Sequence, residues 1–116
     1  MILATILTGL VALIHFYFMY LEMVKWEAPR TRRAFGMSAE KAAVTKVMAA
    51  NQGLYNGFIA LGLVLGLLTG NLSMVIYLLS CVIVAGVYAL YCGIKSALYV
   101  QTVPALLALV VTWIAV

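Results

Sequence analysis

Apolar residues run almost without interruption from about Ile2 to Val24, from Ala43 to Leu68, from Met74 to Ile94 and from Ser96 to Val116. Each run is close to the roughly 20 residues an α-helix needs to cross the hydrocarbon of a bilayer. The pattern therefore predicts an all-α polytopic membrane protein, an antiparallel four-transmembrane-helix bundle forming one membrane domain over residues 1–116. The connection at 25–42 is polar, whereas Thr69 to Ser73 is too short for anything but an antiparallel return. In the first run Thr8, His15 and Glu22 form a heptad-spaced polar line. Seven residues are nearly two helical turns, so these three share one face, which is expected to look inward. In the second run Asn51, Gln52, Tyr55 and Asn56 fall within an arc of about 140°. Gly53 with Gly57, and Gly62 with Gly66, add two spacings of small residues that let another helix approach closely. The third run gathers Tyr77, Cys81, Tyr88, Cys92 and Lys95 on one stripe, with Tyr91 at its edge. The fourth opens with Tyr99, Gln101, Thr102 and Pro104, whose missing N–H makes the level of Val100 locally polar and prone to bend.

Composition removes the soluble alternatives. Of the 116 residues 67% are hydrophobic and 9% charged, and the mean hydropathy is +1.18, far from globular usage. The N-terminal run lacks a basic flank and a small-residue cleavage site, so it reads as a retained span and not a secretory signal. The net charge of +4 does not mark a nucleic-acid binder, because Lys25, Arg30, Arg32, Arg33, Lys41 and Lys46 lie in or beside the first connection. Such clustering is the positive-inside pattern. It places the first connection, and with Lys95 the third, in the cytoplasm, with both termini on the outer side. Cys81 and Cys92 lie about 16 Å apart along one helix, too far to bridge, and no cluster has metal-ligand spacing. Trp26 and Trp113 read as interfacial anchors, Pro29 as the stop to the first span, and Ser38 as an N-cap without a capping box.

Chemistry is expected in the cytoplasmic half. His15 lies about nine residues in from the inner end of its span and Glu22 about two, while Asn51 to Asn56 lie about seven to twelve residues into theirs. Tyr88, Tyr91, Gln101 and Thr102 are also near inner ends. The outer half holds little beyond Thr8, Tyr77, Ser80 and Thr112, hydroxyls that a helix satisfies against its own carbonyls. Ionisable groups in a span mark a site or path by default. This distribution predicts a polar cavity that takes a small amphiphilic or lipophilic ligand. His15 would handle a proton; Asn51, Gln52 and Asn56 would orient the ligand, with Tyr55, Tyr88, Tyr91 and Gln101 as walls. Glu22 is the second catalytic candidate, although an axial gap of about 10 Å separates it from His15. Its place beside Lys25 also allows a salt bridge or snorkelling. Arg30, Arg32, Arg33 and Lys46 would hold anions, from lipid headgroups to a cytosolic phosphate or carboxylate. The competing account is interhelical glue, several bonds of about 0.6–2 kcal/mol each.

Leu13-Ile14-His15, Tyr20-Leu21-Glu22-Met23 with Trp26, Pro29-Arg30, Phe35-Gly36, and above all Asn51-Gln52-Gly53-Leu54-Tyr55-Asn56-Gly57 resemble the bacterial domain-of-unknown-function family 1304 (DUF1304). The resemblance covers nearly the whole chain. It implies a small four-span membrane protein and no particular activity. A more distant likeness is to the membrane-associated eicosanoid and glutathione metabolism superfamily, which has four spans and a basic first connection. That likeness implies glutathione as cofactor, transferase or isomerase chemistry, and a homo-oligomer, a trimer with its site between subunits. Its Arg–Asn–acid motif is incomplete here: Asn51 matches, position 54 is Leu, and Lys46 is out of register. Small multidrug-resistance transporters, with a glutamate in span one, offer Glu22 a third, proton-coupled role; a homo-oligomer, dimer or trimer, is expected in either case.

Overall fold

The helices begin and end where local chemistry directs. The computed structural model describes residues 1–116, with α1 at Ile2–Met23, α2 at Pro29–Phe35, α3 at Ala39–Thr69, α4 at Leu72–Tyr91, a π-helical turn at Leu98–Thr102 and α5 at Val103–Ala115. Four stretches are long and apolar enough to cross a membrane: α1, α3, α4 and Leu98–Ala115. Ser38 caps α3, its Oγ accepting the Lys41 N–H at 3.1 Å, and Asn71 caps α4 through the Met74 N–H at 3.1 Å. Gly36, Gly70 and Gly93 take positive φ just past the ends of α2, α3 and α4. Each allows a Schellman close, as in Met37 N–H to Arg32 O at 2.8 Å and Asn71 N–H to Gly66 O at 2.9 Å.

Several boundaries depart from the hydropathy pattern. α3 starts at Ala39, four residues before the apolar run, because the Ser38 cap sets its start. At 31 residues and 1.5 Å per residue it is about 46 Å long, more than a hydrocarbon core requires. The connection expected at 25–42 is not all loop: it holds α2, with Pro29 in its first turn, so Pro29 starts one helix after α1 has ended. α4 ends at Tyr91, short of Ile94, since Gly93 breaks it. Ahead of Pro104 the last span opens into the π turn, with the Val103 N–H bonded to Leu98 O. A proline that cannot donate is accommodated by a local change of helical register.

The chain divides into two compact units, Met1–Ile14 with Ile59–Val116, and His15–Phe58. In the first, α4 packs on the π turn and α5, burying Val75, Leu79, Val82, Ala105 and Ala108. Gly62 and Gly66 let α3 meet Leu78 and Val75 of α4 without an intervening Cβ. Ser80 and Thr112 donate to carbonyls one turn back, each at 2.7 Å. Thr8 departs from that expectation: its Oγ1 is buried with no hydrogen-bond partner, as is that of Thr102.

Candidate functional site

The second unit, His15–Phe58, carries the site. Here α1 and α3 run antiparallel in close contact. A Cβ built on Gly53 would fall 2.7 Å from Met23 Cγ, 3.0 Å from Glu22 Cβ and 3.2 Å from Met19 O, and one on Gly57 would fall 2.5 Å from Met19 Sδ. At Gly53 a side chain would meet atoms that cannot move aside, Glu22 Cβ and the Met19 carbonyl, whereas at Gly57 it would meet only the flexible Met19 side chain, so the bare backbone at Gly53 sets how closely the helices approach. Beyond the end of α1 the pairing continues: Trp26 Nε1 donates to Thr45 Oγ1 at 3.0 Å, and Lys46 Nζ lies 3.1 Å from Glu27 Oε1.

This register brings Glu22 to the carboxamides of α3. Gln52 Nε2 donates to Glu22 Oε2 and Asn56 Nδ2 to Glu22 Oε1, both at 2.5 Å. Gln52 and Asn56 are four residues apart, hence on one face one turn apart, and so each can reach a separate oxygen. A carboxylate only accepts, which fixes both amides with their NH2 groups turned inward. Glu22 is 2% exposed, whereas Gln52 is exposed and Asn56 half-buried. The acid therefore sits behind a polar rim that faces outward.

The sequence expectation brought the carboxamides together with His15 and Glu22 in one inner-half cavity, but put them level with His15 and Glu22 a turn or more off level, free to pair with Lys25 or reach the interface. Instead it is buried and held by neutral amides. Depths counted from the start of each apolar run assume a shared boundary, but α3 overshoots α1: Gly53 is level with Glu22, and the turns before it extend past the end of α1. His15 is also buried, at 2% exposure, and meets Phe18 edge-on with ring centroids 5.9 Å apart. It remains two turns from Glu22 on the same face of α1. Thr8, His15 and Glu22 are all buried, as their heptad spacing implies.

The remaining candidates lie outside this cluster. Asn51 is exposed, and Tyr55, 62% exposed, stacks edge-on with Phe58 at 5.8 Å. Lys46 is paired with Glu27, and Arg32 Nε donates to Glu27 O at 3.2 Å; Arg30 and Arg33 are exposed. In the other unit Gln101 is half-buried. Tyr88 and Tyr91 turn outward, over shallow apolar depressions along α4 lined with Val84 and Val87. Sequence reasoning passed over Thr45, Met19 and Glu27; pairing across some twenty or more residues leaves no local signal.

Comparison with known sequences covers the whole of this site. The family described as "Protein of unknown function (DUF1304)" matches residues 9–113, a range that includes His15, Glu22, Gln52, Asn56 and both glycines. The chain belongs to the DUF1304 family. A relative, "Uncharacterized protein YpaA" of Lactococcus lactis subsp. lactis (strain IL1403), is 37% identical over 113 residues, covering 94% of this chain and 95% of its own. No solved structure matches. In this DUF1304 protein the arrangement offers a buried acid on a membrane-spanning helix, with two amide donors aligned on it, one of them from exposed Gln52. Such a group can accept a proton, a cationic head or a further hydrogen-bond donor.

Proposed function

We propose that this DUF1304 protein binds a small amphiphilic molecule bearing a cationic or hydrogen-bond-donating head at Glu22, within the cytoplasmic half of the inner membrane. The observation that carries the reading is the burial of Glu22 behind neutral donors, Gln52 and Asn56. A neutral side chain would join two helices at less cost in desolvation, so a carboxylate at this depth favours a role for its charge. Two amides satisfy one lone pair on each oxygen and leave others available to a ligand arriving past Gln52. His15, on the same buried face, supplies an imidazole that can both donate and accept a hydrogen bond. The basic first connection supports a cytoplasmic opening, with the third connection also inside and both termini outside.

The test is equilibrium binding of a lipophilic cation, tetraphenylphosphonium, to the purified full chain in detergent. Saturable binding that weakens at least tenfold in Glu22→Gln, with helix content retained, is the expected result. Absence of saturable binding, or equal binding by the variant, would return the cluster to a purely structural role between α1 and α3.

A further inference from the structure

Outside the Glu22 cluster, the most strongly charged surface of the chain is the first connection. Lys25, Arg30, Arg32, Arg33, Lys41 and Lys46 share that stretch with only two acids, Glu27 and Glu40. The structure separates those already engaged from those that are not. Glu27 takes Lys46 on its carboxylate and Arg32 on its carbonyl. Arg30 and Arg33 remain exposed, three residues apart on α2 and therefore neighbours on one helical face.

We propose that α2 is a fixed docking surface for the headgroup of an anionic phospholipid, with Arg30 and Arg33 holding its phosphate. α2 is tied down: its own Thr31 is 2% exposed, Trp26 packs on Phe35 with ring centroids 5.0 Å apart, and Trp26 is itself bonded to Thr45. A pair of guanidiniums on an anchored helix loses little freedom on binding, and each matches phosphate oxygens through paired N–H groups. Location selects a lipid over a soluble anion. α2 begins six residues after Met23, the last residue of the first span, and Met23, Val24 and Phe35 nearby are 44%, 66% and 41% exposed. These apolar groups would lie against glycerol and upper acyl chain. Charge selects an anionic lipid, since a zwitterionic headgroup brings its own cation to the phosphate.

Native mass spectrometry of the purified full chain, offered equimolar phosphatidylglycerol and phosphatidylcholine, tests this. Wild type should retain phosphatidylglycerol about fivefold or more over phosphatidylcholine. Arg30→Gln/Arg33→Gln should bring the ratio near one, while Arg30→Lys/Arg33→Lys keeps part of it and controls for folding. Lys95→Gln, on another connection, should leave it unchanged. Equal retention by wild type, a preference that survives the double glutamine variant, or displacement of phosphatidylglycerol by millimolar inorganic phosphate would each overturn the proposal. Glu22→Gln should keep the lipid ratio, so this inference stands or falls separately from ligand binding at Glu22.

Discussion

Glu22 accepts one amide at each oxygen, and its neighbours depend on it as much as it depends on them. Truncation to alanine would strand the donors of Gln52 and Asn56 beside apolar surface and open a gap under Met19 and Met23. With interhelical bonds in membranes worth about 0.6–2 kcal/mol each, Glu22→Ala should cost about 1–4 kcal/mol. Glu22→Gln keeps the shape, and after one amide turns over it still accepts from one neighbour and donates to the other. Its melting temperature in detergent should therefore lie between wild type and alanine; a glutamine variant as unstable as alanine would show that charge holds the helices together. The spacing of Thr8, His15 and Glu22 made their shared burial legible from sequence, because a heptad on a helix maps to one face. That the carboxamides of the second span lie opposite was expected, but which of them receive Glu22, and at what level, was not legible, because the answer lies thirty residues away.

At the scale of elements, α1 and α3 are set against one another by Gly53 and Gly57, and the two positions differ in what they face. A methyl at Gly53 meets Glu22 Cβ and the Met19 carbonyl as well as Met23, and neither of the first two can swing aside. A methyl at Gly57 meets only the side chain of Met19, whose rotamers are adaptable. Gly53→Ala should thus destabilise by about 1–3 kcal/mol and loosen the Glu22 bonds, while Gly57→Ala costs well under that. Thermal melts followed by circular dichroism distinguish them, and equal melting of the two variants would contradict this geometry. The caps and breaks of the helices were readable because they are local: Ser38 starts α3 as a serine in that position should, and Pro104 disturbs the last span. The helix α2 was missed because seven residues carry little periodicity, and what fixes it is the docking of Trp26, Phe35 and Thr31.

For the whole molecule, four spans divide the connections between two sides. If the basic connection faces the cytoplasm, exposed Cys92 at the end of α4 should react with a membrane-impermeant maleimide only in inside-out vesicles. A cysteine at exposed Ser73, placed in a Cys92→Ser background, should react only in spheroplasts. Labelling of both from one side would overturn the topology. By itself, the sequence determined the class of protein, the four spans, the cluster of positive charge and the inward face of α1, all of which follow from composition, segment length and helical period. Only the tertiary structure decided that Glu22, Gln52 and Asn56 meet, that Lys46 is taken by Glu27, and that Tyr88 and Tyr91 turn outward. The reason is physical: hydropathy fixes how much of each helix is apolar, but sliding one helix along another changes that very little. Register and rotation are chosen by close contacts between distant residues, here two glycines against Met19, Glu22 and Met23.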